Sequence, residues 1–248
     1  MEPQLSRKSG SHIIRIDGER LRNNVPGRPI CNTCSNECTM KNFGLRLPPS
    51  TTRIGLIMTV AVLGMLPLRA QAPSDAVVKI RTYYQELMPT IQQAGRLSVR
   101  ERDRRFTPAI SSAFDLATMA RLAVGPAWKT FSATQQAAVQ DAFARFIIAD
   151  YAHQIKDYSG ESFVVDPQTT PESRGGGEIV KTKLLQPGGR TVSINYLVRR
   201  GRVLDVYLNG TISDLATRRD EFSSIIASGG ADGLIKRLQD RTETLLGN

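Results

Sequence analysis

The sequence predicts an α+β domain with N-terminal helices, a strongly twisted antiparallel sheet of about four strands, and two C-terminal helices. Two observations support this class. Apolar residues recur at helical intervals before residue 158 and after residue 212, and four short strand-like segments separated by Gly- and Pro-containing turns lie between them. Because helices precede and follow this meander, we expect them to wrap one face of the sheet.

The residues in front of this domain are typical of a secretory signal peptide. An uncharged apolar run from Ile54 to Leu68 follows basic residues and precedes the small-residue pattern Ala70-Gln71-Ala72. The run contains Pro67 and is shorter than the roughly 20 residues that a membrane-spanning helix needs. Since Met40 would open a signal peptide of ordinary length, we predict a misassigned start or a disordered extension over 1–39, the signal peptide over 40–72, and a periplasmic domain over 73–248.

Cysteine usage excludes several kinds of chemistry. Cys31, Cys34 and Cys38 are spaced like part of a zinc site, but only His12 lies nearby as a fourth ligand, so we predict no metal there. From residue 73 onward the chain has no cysteine and a single histidine, which excludes thiol catalysis and disulfide scaffolding. We therefore expect no cofactor.

The formal charge of +10 lies mostly outside the predicted domain. Residues 73–248 contain 23 Lys and Arg against 19 Asp and Glu, a net charge of about +4. This mild excess favours contact with anionic lipid or an acidic partner, and it is too small to indicate nucleic-acid binding.

Three helices are predicted before the sheet. The first covers 75–93, with Ser74 as its N-cap and Pro89 as a kink or break. The second begins at Thr107-Pro108, after a charged connector over 96–105, and stops at Gly125. The third runs from Ser132 to about residue 157 and opens with a Ser132-x-x-Gln135 capping box.

Four strands and two helices follow. The strands are predicted over 163–166, 178–185, 190–198 and 202–208, with Arg200-Gly201 as a two-residue hairpin turn. In the third strand, polar residues at 191, 193 and 195 alternate with apolar residues at 192, 194, 196 and 198, which indicates one covered face. The final helices cover 213–227 and 232–246, separated by Gly229-Gly230.

Few residues of the domain have the pattern of a catalytic group. His153 has no neighbouring nucleophile motif and is expected on a solvated helix face. The run Arg174-Gly175-Gly176-Gly177 lacks the Lys-Ser/Thr of a phosphate loop and precedes a strand. Asp205 is either a structural carboxylate or a general base. The apolar stripes fit either a solid core or a ligand cavity between sheet and helices.

An ordered set of short motifs across the domain resembles the MlaC-type periplasmic phospholipid-binding proteins, also called the toluene-tolerance family. The helical half carries Phe114-Asp115-Leu116-Ala117-Thr118-Met119, Gly125-Pro126-Ala127-Trp128, Gln135-Gln136, Phe143 and Tyr151-Ala152. The second half carries Val180-x-Thr182, Val192-x-Ile194-x-Tyr196, Asp205-Val206-x-Leu208-x-Gly210-x-Ile212-Ser213, Arg218-x-x-x-Phe222 and Gly230-x-Asp232-x-Leu234-Ile235-x-x-Leu238.

The sequence departs from the family where a tryptophan commonly precedes the Asp-Val pair. Arg202-Val203-Leu204 stands there instead. The stretches 121–126, 157–163 and 210–219 are more similar to HpnM, the hopanoid-associated branch. The cargo implied is therefore a glycerophospholipid or a hopanoid-type lipid.

The resemblance implies a soluble shuttle that carries lipid between membranes, with an inner-membrane ABC lipid transporter complex and an outer-membrane complex as partners. Because such a shuttle must dock to two different complexes, we expect a monomer. An apolar pocket between sheet and helices would hold the cargo. From strand alternation and helix stripes we assign its lining to Val180, Val192, Ile194, Tyr196, Val206 and Leu208 on the strands and to Met119, Phe143, Phe146 and Ile147 on the helices.

Two other functions stay open at this point. A cone-shaped enzyme would use Asp205 and Tyr196 as an acid/base pair on an apolar substrate. An accessory protein with a solid core would bind partners and contain no cavity.

Overall fold

In the computed structural model, residues 72–173 and 175–247 are described. The predicted signal peptide, the cysteine cluster and Arg174 lie outside these residues. The described part is an α+β domain, as predicted, with five α-helices, two short 3-10 helices (Ala94–Arg96 and Gly125–Thr130) and a five-stranded antiparallel sheet. The helices are α1 (Asp75–Ile91), α2 (Val99–Ala113), α3 (Leu116–Val124), α4 (Ala133–Gln154) and α5 (Asp214–Gly247). The strands are β1 (Ser162–Pro171), β2 (Glu178–Leu185), β3 (Thr191–Arg199), β4 (Arg202–Leu208) and β5 (Ile212–Ser213).

Polar caps start the first and fourth helices where the sequence predicted them. The Ser74 hydroxyl accepts from the Val77 amide at the start of α1. At the start of α4 the Ser132 hydroxyl accepts from the Gln135 amide, and the Gln135 side chain accepts from the Ser132 amide, which completes the capping box.

The predicted second helix begins too late and is divided in two, although its predicted end at Gly125 matches the C-cap of α3. Ser98 caps α2, and the charged stretch assigned to a connector is helical because two of its charges are buried. The Arg102 guanidinium donates to the carbonyls of Ala94, Leu97 and Ala152, which satisfies it inside the domain. Helix α2 ends at Ala113, Phe114 is its C-cap, and the next residue, Asp115, caps the start of α3.

The sheet is a meander in which each strand pairs with its neighbours in the chain. The Arg200-Gly201 turn joins β3 to β4 with positive φ at both residues, as a primed hairpin turn requires. Two features exceed the prediction. β1 continues past residue 166 through a register shift between Val165 and Thr169, and the two-residue β5 was not predicted.

The C-terminal helix bends at the predicted glycine pair. Gly230 has φ 63° and ψ −154°, so α5 consists of two helical halves joined at this residue. Within residues 72–173 and 175–247, no helix is both long and apolar enough to span a membrane.

Candidate functional site

One face of the sheet, which we call the inner face, carries the apolar side chains that the alternation pattern selected. It comprises Val180, Thr182 and Leu184 of β2, Val192, Ile194, Tyr196 and Val198 of β3, and Val206 and Leu208 of β4. Cross-strand pairing aligns Val180, Tyr196 and Val206 in one row. All six predicted strand residues therefore share a face, because residues paired directly across antiparallel strands point to the same side.

Helix α1 covers this face through an aromatic cluster. The Tyr84 ring stacks on Phe163 of β1 with ring centroids 4.1 Å apart, and it meets Tyr196 edge-on at 5.9 Å. Tyr83 lies beside it, 5.3 Å from Phe114 and 6.1 Å from Tyr196. These rings bring α1, the α2–α3 junction and the strands β1 and β3 into one contact region.

Hydroxyl groups are hydrogen-bonded inside this apolar region. The Tyr84 hydroxyl lies 2.8 Å from the Tyr196 hydroxyl and 3.0 Å from the Thr182 hydroxyl. The Thr182 hydroxyl in turn donates to the Ile194 carbonyl at 2.5 Å. Burial raises the pKa of Tyr84 to about 12 and raises the pKa of Tyr196 well above its ordinary value. Both tyrosines are thus neutral at physiological pH.

Two of the predicted helix residues, Phe143 and Phe146, contact α5. Phe143 packs edge-on against Phe222 of α5, with centroids 6.2 Å apart. The guanidinium groups of Arg218 and Arg241, also on α5, lie 5.1 and 5.5 Å from the centre of the Phe146 ring. Both residues also belong to the hydrophobic core that includes the inner face, so their place in the pocket lining stays a prediction.

The other two predicted helix residues, Met119 and Ile147, are 1% exposed and belong to the same hydrophobic core as the inner face. Sequence reasoning missed Tyr83, Tyr84 and Phe163 as residues of the site. The adjacent pair Tyr83-Tyr84 was a usable signal, because both rings can be buried only if the helix packs on two sides. Contact of any predicted residue with a ligand stays a prediction.

The inner face is open at one end. Phe163, Val165, Val192 and Leu208 are only partly buried there, and Ile212, paired with Leu208, is 52% exposed. The same end of the sheet holds the turn between β2 and β3. We call these five residues the open end, because their partly exposed apolar side chains lie next to the buried row of Val180, Tyr196 and Val206.

Asp205 lies on the opposite, outer face of the sheet. Its carboxylate accepts from the Ser213 hydroxyl at 2.6 Å and from the backbone amides of Val206 and Leu215 at 2.8 and 3.1 Å. Burial raises the pKa of Asp205, and these hydrogen bonds oppose the shift. Because Tyr196 is on the inner face, the structure does not form the Asp205/Tyr196 acid/base pair.

Other titratable groups hold the helices together. Arg218 is fully buried and pairs with Asp214 at 2.7 Å and with Asp150 at 3.2 Å. His153 is half-buried, and its Nδ1 lies 3.3 Å from the Leu245 carbonyl. In the described ranges, no group of His, Cys, Asp and Glu has a metal-binding arrangement.

Comparison with known proteins agrees with this architecture. A solved structure from Ralstonia solanacearum, described as a phospholipid-binding protein in complex with a phospholipid, matches with a TM-score of 0.60 and 19% identity, over 69% of this chain and 99% of that one. At this identity the match shows the fold. No curated protein matches the chain. The family model described as MlaC protein matches residues 81–240, from α1 into the second half of α5, and the chain therefore belongs to the MlaC family.

Proposed function

We propose that this protein is a periplasmic lipid carrier. The observation that supports it best is the inner face, an apolar surface enclosed by α1 and open at one end. Membership of the MlaC family and a fold shared with a protein crystallised with a phospholipid support the same function. The lipid chains would enter at the open end and lie between α1 and the inner face.

The physical need for such an enclosure is large. Each acyl methylene exposed to water costs about 0.8 kcal/mol, so a chain of about sixteen carbons costs on the order of 10 kcal/mol to move through water unprotected. An apolar site removes most of this cost. The polar head group would stay at the open end, because burying a phosphate without partners is unfavourable.

The cargo is proposed to be a glycerophospholipid or a hopanoid-type lipid. Similarity of 121–126, 157–163 and 210–219 to the hopanoid-associated HpnM branch supports the second. The proposed partners are an inner-membrane ABC lipid transporter complex and an outer-membrane complex, between which a monomer would travel. The signal-like segment before residue 73 supports transport to the periplasm.

Binding without catalysis is the proposed activity. The Tyr84 and Tyr196 hydroxyls bond to each other, Tyr84 also bonds to Thr182, and Asp205 is held by three hydrogen bonds on the outer face. Neither set places an acid and a base on one substrate. The arrangement favours holding an apolar molecule over reacting with it.

Native mass spectrometry of residues 73–248, purified from the periplasm without detergent, tests the proposal. We expect a complex with one lipid, and solvent extraction followed by fragmentation would identify that lipid as a phospholipid or a hopanoid. A protein of unliganded mass that also takes up no lipid from added vesicles would contradict the carrier function.

A matched pair of variants tests the location of the site. Val192→Asp puts a charge among the half-buried side chains of the open end, and we expect at least a tenfold loss of the lipid-bound fraction. Val164→Asp puts the same charge on the outer face, where Val164 is already 47% exposed, and should leave lipid binding unchanged. Equal lipid occupancy in two folded variants would place the site elsewhere.

A further inference from the structure

The outer face of the sheet has a groove that the proposed lipid site does not use. It lies between β3, β4 and the adjoining ends of α3 and α5, and it has a volume of about 230 Å³. Its apolar floor consists of Leu122, Leu197, Leu204 and Leu215, and we call it the outer groove. This volume is below the range of about 300–1,000 Å³ typical of sites for whole small molecules, and it suits one or two side chains.

An irregularity in β4 builds the floor of the groove. The pairing of β3 with β4 shifts register between Leu197 and Val198, so β4 has one extra residue there. Leu204 and the adjacent Asp205 both line the groove as a result. Asp205 bonds Ser213 and the Leu215 amide, which fixes the start of α5 against the sheet. The floor is therefore formed before any partner arrives.

The rim of the groove is basic and fixed in position. Arg219 donates from Nε and Nη2 to the Leu122 carbonyl at 3.0 and 2.7 Å, while its side chain remains exposed. Arg199 donates to the Gly176 carbonyl at 2.6 Å and lies 3.8 Å from Glu172. Because these contacts already fix both guanidinium groups at the groove, a ligand would not have to immobilise them on binding.

Further along the outer face the exposed charge is also positive. Lys181 and Lys183 of β2 are exposed and pair across the sheet with the uncharged Asn195 and Ser193. The acidic groups nearest the groove are engaged within the protein: Asp205 accepts three hydrogen bonds, and Glu172 contacts Arg199. The four basic groups, Arg199, Arg219, Lys181 and Lys183, exceed these two carboxylates by two, so a net positive charge remains for a partner.

We propose that the outer groove docks an acidic protein segment, with one apolar side chain of that segment seated on the leucine floor. A concave apolar floor inside a cationic rim matches an apolar side chain flanked by carboxylates. A membrane surface fits it less well, because insertion into lipid requires apolar side chains that protrude. The docking surface lies on the opposite side of the sheet from the inner face, so cargo and partner are bound at once.

Fluorescence anisotropy with a defined probe tests this inference. The probe is a labelled twelve-residue peptide with a central leucine flanked by Glu and Asp, titrated with residues 73–248 at low and at physiological salt. We expect binding at least ten times tighter than for the same peptide with Ser in place of Leu or with Lys in place of the acids. Equal binding of all three peptides would overturn the proposal.

Variants locate the binding. Ala216→Trp fills the groove from an exposed position without removing a hydrogen bond, and Lys181→Glu with Arg219→Glu reverses two charges. Each should weaken peptide binding at least tenfold, whereas Arg237→Glu, an exposed site on the second half of α5, should change it less than twofold. Unchanged peptide binding by Ala216→Trp would contradict the assignment. A second contradicting result would be that anionic phospholipid vesicles bind the parent protein but not Ala216→Trp, while the peptide binds neither.

Native mass spectrometry of the Ala216→Trp variant separates this inference from the proposed function. Its lipid occupancy should equal that of the parent protein, because Ala216 lies on the outer side. Loss of peptide binding with full lipid occupancy supports two independent surfaces. Loss of both would show that the outer groove is part of the lipid site, and the docking inference would be wrong.

Discussion

The Tyr84 hydroxyl links α1 to two strands through hydrogen bonds to Thr182 and Tyr196. Removing the Tyr84 hydroxyl and removing the Tyr196 hydroxyl have different effects on the hydrogen bonds that remain. Without the Tyr84 hydroxyl, the buried Tyr196 hydroxyl loses the partner that it has in the structure. Without the Tyr196 hydroxyl, Tyr84 retains Thr182. An unpaired buried hydroxyl costs more than a lost hydrogen bond whose remaining partner is satisfied.

Tyr84→Phe should therefore destabilise the domain by about 1–3 kcal/mol, and Tyr196→Phe by about 0.5–1.5 kcal/mol. Urea unfolding followed by circular dichroism measures both free energies of unfolding. The reverse order of the two losses would mean that Tyr196 has a second partner.

Arg218 is the cation that pairs with two buried carboxylates, and its replacement leaves both of them without this partner. Arg218→Met should lower the free energy of unfolding by about 3–5 kcal/mol at pH 7, because Asp150 and Asp214 stay buried without a cation. Burial already raises the pKa of Asp214, and the loss of Arg218 removes the charge that opposes the shift. A raised carboxyl pKa in the folded state favours folding at low pH, so the deficit should shrink as the pH falls from 7 toward 4.

Arg237→Met, an exposed substitution on the same helix, is the control for this series and should be nearly neutral at every pH. A deficit for Arg218→Met that stays constant from pH 7 to 4 would show that lost packing on Phe146, and not uncompensated charge, causes the destabilisation.

At the scale of the element, α5 changes direction at Gly230, whose φ of 63° with ψ of −154° is a conformation that only glycine adopts easily. Gly229 precedes it within the helix, and a Cβ added there meets no atom within 4 Å. Two neighbouring glycines thus have different roles. One permits the bend, and the other only adds flexibility to the unfolded chain.

Gly230→Ala should destabilise the domain by about 1–3 kcal/mol, and Gly229→Ala should be neutral or stabilise it by up to about 1 kcal/mol. Thermal unfolding of the two variants measures the difference. Equal melting temperatures would indicate that α5 continues straight through residue 230 in solution.

The same elements show what the sequence could and could not predict. Capping residues and periodicity located α1 and α4, and strict alternation located β3, since each depends on neighbours in the chain. The start of α2 was missed because Arg102 resembles a surface charge until the carbonyls of Ala94 and Ala152, which come from elsewhere in the chain, satisfy it. The two-residue β5 is too short to carry a pattern.

At the scale of the whole molecule, the strand half of the candidate site followed from alternation, whereas its helical half did not. Alternation assigns a strand residue to a face, but a helix stripe does not reveal which neighbour it meets. Phe143 and Phe146 occupy the apolar stripe of α4 and yet meet α5. Only tertiary packing selects α1 as the helix over the sheet.

Burial of the tyrosines gives a prediction for the molecule as a whole. Burial raises the pKa of Tyr83, Tyr84, Tyr151 and Tyr196, that of Tyr84 to about 12. Each prefers its proton in the folded state, so this contribution to stability is present below pH 10 and is lost as the pH rises through 10 toward 12. Absorbance at 295 nm should show these four ionising together with the loss of near-ultraviolet circular dichroism. Ionisation of more than two of the six tyrosines near pH 10 with an unchanged dichroism spectrum would contradict the burial of these four.

The meander has a mechanical consequence for α1. Every ladder hydrogen bond of the sheet joins strands that are neighbours in the chain, and among the described residues no backbone hydrogen bond connects α1 to a strand. Displacing α1 therefore breaks side-chain contacts and the hydroxyl bonds of Tyr84, and the sheet itself stays intact. The free energy needed to expose the inner face therefore depends on the contacts of α1 and its aromatic rings. A lipid chain that entered between α1 and the sheet would replace these contacts with its own.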